Sequence, residues 1–264
     1  MLSRVLSILL AVGAIVSAQT PAVTSGGVIN AAAVKSGGPV APGSLISIFG
    51  TNLAAAQALA DSIPLSMALS DVKSVQINGT SAPLTFVSPG QINAQVPWSV
   101  PAGTATVIVN RTGGSSEPQS FQVASTDPAI YFYPATAGQL FAIAQNSDDF
   151  RLAWPENAVA GVQTEPVQRG QALIIYASGL GAVDPPANTG DKAGAVLRKV
   201  TTPVSVLIGG VQAQVLFAGM SPDFVGVNQV NVIVPASAPT GSAVPLQIVQ
   251  AGATTSNQVI IAVR

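Results

Sequence analysis

The sequence predicts an all-β protein of two tandem β-sandwich modules, and three observations carry that prediction. One series of strand and turn signals runs through the chain twice, roughly 130 residues apart. The strand-like stretches are short and bounded by Gly, Pro or Asn, and only two windows read as helical, one of them at the extreme N-terminus. Short strands at regular spacing, separated by turn signals, bury their apolar side chains as two packed sheets.

The repeat sets the order of the elements. The first copy opens on Gly43–Leu53, GSLISIFGTNL, and continues through Ile77-Asn78-Gly79, Gln91-Ile92-Asn93, Val96-Pro97, Pro101-Ala102-Gly103 and Phe121-Gln122-Val123. The second answers with Gly170–Leu180, GQALIIYASGL, then Ile208-Gly209-Gly210, Gln229-Val230-Asn231, Val234-Pro235, Pro239-Thr240-Gly241 and Val259-Ile260-Ile261. From the Gln-x-Asn element onward the offset holds at 138 (91 to 229, 97 to 235, 103 to 241, 121 to 259). A repeated module of this kind is a scaffold or binding unit.

Within each copy the β-branched stretches give the strands: Leu45–Phe49, Val72–Ile77, Thr104–Val109, Leu173–Tyr176, Val204–Ile208, Gln229–Val234 and Gln258–Val263. Ser74-Val75-Gln76-Ile77 and Gln229–Val234 alternate, which puts the apolar side chains on one face of a sheet packed on one side only. Asn78-Gly79 and Gly209-Gly210 sit where two successive residues with positive φ close a tight hairpin. Val96-Pro97 and Val234-Pro235 end strands, because proline has no N–H for the ladder. Leu53–Leu59, LAAAQAL, reads as a loop with a helical turn. Between the copies, Gln139–Gln145 and Phe150–Trp154 read as two strands around a turn of Asn, Ser and Asp, a hairpin that opens the second module.

Residues 1–18, MLSRVLSILLAVGAIVSA, carry one positive charge at Arg4, an apolar run from Val5 to Val16 and small residues before Gln19. That is the pattern of a cleaved secretory signal peptide, and the run is shorter than the roughly 20 residues that span a bilayer. The expected organisation is a signal peptide at 1–18, a first domain at 19–126, and a second at 127–264 with an N-terminal hairpin extension. The product is expected to be extracellular or at the cell surface.

Composition narrows the chemistry. The 264 residues are 48% hydrophobic and 8% charged, with a formal net charge of −1. Such a chain can fill folded cores but lacks the concentrated positive field that nucleic acid or an anionic membrane surface would require. It has no cysteine and no histidine. Disulfides, Cys nucleophiles, Ser-His-Asp triads and His-ligated zinc are all excluded.

The order of apolar strand, Gly50-Thr51-Asn52-Leu53, spacer, strand, Asn78-Gly79, strand, Ile92-Asn93, Val96-Pro97 and Pro101-Ala102-Gly103 resembles the IPT/TIG family of immunoglobulin-like domains. The stretch from about Gly27 to Val263, with PVAPGSLISIFGTNLA, PGQINAQVPWSVPAGTATV, DPAIYF and IIYASGLG, also looks like a C-terminal domain recurrent in large exported proteins of Acidobacteria, especially Solibacter. The resemblance implies two tandem immunoglobulin-like β-sandwich domains after the signal peptide, an adhesive or surface-structural role, and no catalytic residues to carry over.

Candidate contacts concentrate between the copies. Tyr131, Tyr133 and Trp154 belong to the most aromatic part of a chain with 5% aromatics. Such rings either stack on sugars, with Asp148 and Asp149 taking hydroxyls, or fill the core and the junction between modules. The same Asp148-Asp149 pair with Asn146 could ligate Ca²⁺ or simply make a solvated turn. Asp184 and Asp191, in the loop after SGLG, could contact a cation or ligand. The leading expectation is a non-catalytic structural or adhesive module whose partners are other extracellular proteins. The alternative is polysaccharide binding through residues 131–154 or 181–199, and an enzyme working with carboxylates alone comes last. No catalytic, cofactor or metal residue is assigned.

Overall fold

The computed structural model describes residues 19–33, 37–135, 138–255 and 258–264. The predicted signal peptide lies outside them.

The first half contains β1 (Ala22–Asn30), β2 (Leu45–Thr51), β3 (Ala58–Leu59), β4 (Val72–Ile77), β5 (Thr80–Ala82), β6 (Leu84–Val87), β7 (Gln91–Gln95), β8 (Gly103–Arg111), β9 (Gly114–Ser115) and β10 (Gln119–Val123). They form two sheets, ordered β1-β2-β7-β6-β3 and β10-β8-β4-β5. The alternation read from the sequence decides the packing. Ile46, Ile48, Val75, Ile77, Ile92, Ala94, Val107 and Val109 all point between the sheets and are fully buried.

The second half contains β11 (Ala129–Ile130), β12 (Phe132–Pro134), β13 (Leu140–Ala142), β14 (Ala144–Asn146), β15 (Ala172–Ser178), β16 (Val183–Asp184), β17 (Lys199–Val200), β18 (Val204–Ile208), β19 (Val211–Met220), β20 (Asn228–Ile233), β21 (Gly241–Gln250), β22 (Ala253–Thr254) and β23 (Val259–Val263). The main path runs β11-β15-β20-β19-β18-β21-β23-β13-β12, with β14 also on β15. A separate core of Leu173, Ile175, Val206, Ile208, Val230, Val232, Leu246 and Ile261 lies between its two layers.

The central strands of the two copies follow the same order. Asn78-Gly79 and Gly209-Gly210 both hold two successive positive φ values, and close the β4–β5 and β18–β19 hairpins. After each hairpin the register slips by one residue, at Thr85 between the Leu84 and Phe86 pairs and at Leu216 between the Val215 and Phe217 pairs. A shared offset of 131 relates the two bulges (85 to 216) and the two turns (78 to 209). One difference separates them. Pro83 divides β5 from β6, whereas Gln214 at the matching position pairs with Ile233, so β19 crosses from one layer to the other without a break.

Three sequence expectations are corrected. Residues 53–59 contain no helical turn: Leu53 and Ala54 are buried, Asp71 Oδ1 accepts from the Ala55 amide at 2.8 Å, and Ala58–Leu59 is strand β3. Core burial and the Asp71 contact hold this segment extended against its good helix formers. Gln139–Gln145 is two strands, because the chain passes from one layer to the other at Ile143; Phe150–Trp154 contributes only an isolated bridge at Leu152. The constant offset of 138 fails at the last strand. Val123 pairs with Gly103 while Val263 pairs with Gly241, an offset of 140, because β21 carries a register shift between Gly241 and Val244.

Candidate functional site

The residues singled out between the copies do not converge. Trp154 is 1% exposed, its Nε1 donates to the Ala142 carbonyl at 2.6 Å, and its ring stacks on Phe141 with centroids 5.3 Å apart. A ring with both faces packed offers none to a ligand, so Trp154 belongs to the core. Tyr133 lies over it at 5.6 Å and keeps an exposed edge. The Tyr131 hydroxyl is buried facing Ser178 without reaching hydrogen-bond geometry, and burial pushes its pKa up to about 12 against the opposing influence of Ser178.

Asp148 accepts from Ser147 Oγ and Gln171 Nε2, both at 3.0 Å. Asp149 accepts from the Arg151 amide at 3.1 Å and pairs with its guanidinium. Both carboxylates therefore fasten a turn, and Asn146 is buried behind it, bonded to Arg151 and Glu165 backbone. Among the described residues no three acidic side chains come together to hold a metal ion.

The loop of Asp184 and Asp191 serves the joint between the halves. The Gly190 amide donates to the fully buried Gln95 Oε1 at 2.7 Å, its carbonyl accepts from the Leu65 amide at 2.9 Å, and Thr189 Oγ1 accepts from the Trp98 amide at 3.2 Å. Val183, Ala193 and Met220 form a small core of their own beneath Trp98. On the other side, Asn30 Nδ2 donates to the Asp127 carbonyl and carboxylate at 2.8 and 3.1 Å, and the Asp127 amide donates to the Gly179 carbonyl. Gly179 has φ +81°, and a Cβ there would lie 1.9 Å from the Asp127 carbonyl oxygen, so only glycine permits this approach. Burial lifts the Asp127 carboxyl above its ordinary value, with the Asn30 bond pulling the other way.

The arrangement best suited to recognition lies elsewhere, on the outer face of β14-β15-β20-β19. Strand alternation turns Ile174 and Tyr176 outward on β15, and Gln229 and Asn231 outward on β20, with Tyr176 paired to Gln229 and Asn231 to both Ile174 and Phe217. Gln229 Nε2 donates to Asn231 Oδ1 at 2.9 Å, and the Tyr176 hydroxyl donates to Gln145 Oε1 at 3.2 Å. Phe224, 54% exposed, stands at 83° to the Tyr176 ring with centroids 6.2 Å apart. Two shallow grooves flank this row. One, of about 420 Å³, is lined by Tyr176, Phe224, Ile143, Gln145 and the sequence-predicted Tyr131, and is bounded by Leu45 of the first half. The other, of about 430 Å³, lies over Gln229, Asn231, Phe217, Leu197 and Lys199. Partial burial raises the Tyr176 pKa, and the charge of nearby Asp223 adds to the rise.

The first half carries the same amide ladder without the aromatic corner. Phe49 pairs with Gln91, and Asn93 with Phe86. There Ser47 fills the place of Ile174: Asn93 Oδ1 accepts from Gln91 Nε2 at 2.7 Å and from Ser47 Oγ at 3.0 Å. No counterpart of Phe224 exists, because the β6–β7 turn is Ser88-Pro89-Gly90 while the β19–β20 loop runs from Ser221 to Val227. The clue to this face was in the sequence: Gln-x-Asn in an alternating strand places both amides on one side.

Residues 32–123 match the model of the IPT/TIG domain, an immunoglobulin-like domain without catalytic function. The all-β layered architecture of both halves agrees with that fold. No curated protein matches the chain. Among solved structures it is similar to SGBP-B of the Bacteroides ovatus mixed-linkage glucan utilization locus in complex with a mixed-linkage heptasaccharide, at 12% identity and TM-score 0.35, covering 86% of this chain and 43% of that one. SGBP-B from a complex xyloglucan utilization locus in Bacteroides uniformis matches at 13% identity and TM-score 0.27, over 92% and 49% of the two chains. The plexin A4 extracellular region matches at 12% identity and TM-score 0.31, over 100% and 20%. The chain thus spans between a fifth and a half of the length of these structures.

Proposed function

We propose that this chain is a non-catalytic interaction module acting outside the cell or at its surface, in which residues 19–126 and 127–264 form two immunoglobulin-like units exported by residues 1–18. The observation that carries this reading is the solvent-facing row of Tyr176, Phe224, Gln229 and Asn231 on a sheet that is otherwise well packed. Aromatic rings left in water beside amides are costly to stability and suited to a partner. The joint at Gln95 and Gly190 holds the two units together, so the chain presents this face from a fixed frame. With neither histidine nor cysteine, the chain lacks the two side chains most used for acid–base and nucleophilic catalysis near neutral pH.

The test is retention of the purified protein on isolated cell envelopes and extracellular matrix of the producing organism. Saturable retention that drops in a Tyr176→Ala/Phe224→Ala double variant is the expected result. Retention no greater than that of an unrelated β-sandwich protein sinks the reading.

A further inference from the structure

We infer that the outer face of β14-β15-β20-β19 is a binding site for an uncharged polysaccharide, that the Tyr176–Phe224 corner is its stacking subsite, and that the matching face of the first half lacks this subsite. The inference rests on the interaction reading above and names the chemical class of the ligand.

Three features select a sugar chain. Tyr176 and Phe224 meet at 83°, so a pyranose ring that lies flat on one presents its edge to the other. Next to this corner the amides are held but not used up. Gln229 and Asn231 share one hydrogen bond, and Gln145 accepts from Tyr176; among the described residues this leaves the Asn231 and Gln145 amide nitrogens and the Gln229 carbonyl oxygen without partners. Sugar hydroxyls both donate and accept, and so can use donors and acceptors set side by side. Four strands at about 4.8 Å spacing make this face about 14 Å across, and the two grooves extend it on either side, which accommodates a run of linked rings rather than a single sugar.

Charge sets the class. Asp223 stands close enough to Tyr176 to act on its hydroxyl, and Lys199 at the far groove is the face's cation. A polyanion would meet a carboxylate at the stacking corner, whereas a neutral glycan meets no opposing charge. In the first half the stacking corner is missing. Ser47 Oγ adds a second bond to the Asn93 Oδ1 that Gln91 already uses, and the short Ser88-Pro89-Gly90 turn brings no second ring to Phe49.

Affinity electrophoresis of the purified protein through gels containing a neutral β-glucan, a xylan, a galactomannan or polygalacturonate tests this. At least one neutral polymer is expected to retard the protein, and polygalacturonate is not. Tyr176→Ala and Phe224→Ala should each weaken binding about five- to tenfold, whereas Tyr176→Phe keeps most of it and Phe49→Ala leaves it unchanged. Phe49 and Phe224 are exposed and Tyr176 is half-buried, and unaltered thermal unfolding confirms that the variants are folded. Retardation by no neutral polymer overturns the inference, as does retardation lost in Phe49→Ala but not in Tyr176→Ala. Concentration-dependent self-association abolished by Phe224→Ala, with no glycan bound, also overturns it in favour of protein docking, and leaves the interaction reading intact. Envelope retention of the unmodified protein no greater than that of an unrelated β-sandwich protein would bring down both.

Discussion

The two halves share a turn, a bulge and an amide ladder, yet only the second turns its ladder into an open face. The first adds Ser47 to its ladder but no second ring beside Phe49, and uses Gln95 to hold its neighbour. The second has Ile174 and Ile233 at those positions and adds the Ser221–Val227 loop with Phe224. Two equivalent scaffolds thus differ at a few positions: one carries the joint at Gln95, the other the exposed aromatic corner.

The sharpest way to break this division is Trp154→Ala. Removing a fully packed indole should cost the second half about 3–5 kcal/mol, seen as an early step in urea unfolding followed by circular dichroism, while the later step of the first half stays in place. An unshifted single transition would show that Trp154 is not a core residue. Gln95→Ala comes next. Leaving the Gly190 amide without its buried acceptor should cost about 1–3 kcal/mol and separate the unfolding of the two halves, whereas Ile233→Ala at the matching position should leave them coupled.

Alkaline pH separates the halves without mutation, because all three tyrosines lie in the second. Tyr131 holds its proton up to about 12, whereas the unfolded chain releases it near 10.0. Over that window the folded state binds more protons, so the stability of the second half should fall as pH rises, and the raised pKa of Tyr176 acts in the same direction. Thermal midpoints recorded from pH 9 upward should show the loss, and Tyr131→Phe should reduce it. The smallest effect belongs to Asp127. Burial raises its pKa above 3.8, so stability at the joint declines as pH climbs past that value, and Asp127→Asn should remove this slope from an acid-side titration. An unchanged slope in the variant would show that Asp127 is not its source.

Much of the fold was legible because it is written in local signals. Val72–Ile77 and Val204–Ile208 are strands to the residue, and both glycine-containing hairpins close where the sequence places them. Residues 53–59 were misread since Leu53 gains more from burial than its neighbours gain from helix. The site was less legible. Clustering along the chain drew attention to Tyr131, Tyr133 and Trp154, yet side chains on one face of a sheet come from strands far apart in sequence. Tyr176 and Gln229 meet through strand pairing, and Phe224 arrives on a loop with no motif. The Gln-x-Asn motif was visible, but its use depends on whether Ser47 or Ile174 stands beside it.

Adjacent copies of one fold run a particular risk while folding, since a strand of one can enter the vacant slot of the other. Pro83 acts against this. Placed in the second half, it would fall where Gln214 pairs with Ile233 and would bring no N–H to that rung. One proline thus counts against the first half's strand entering the second sandwich.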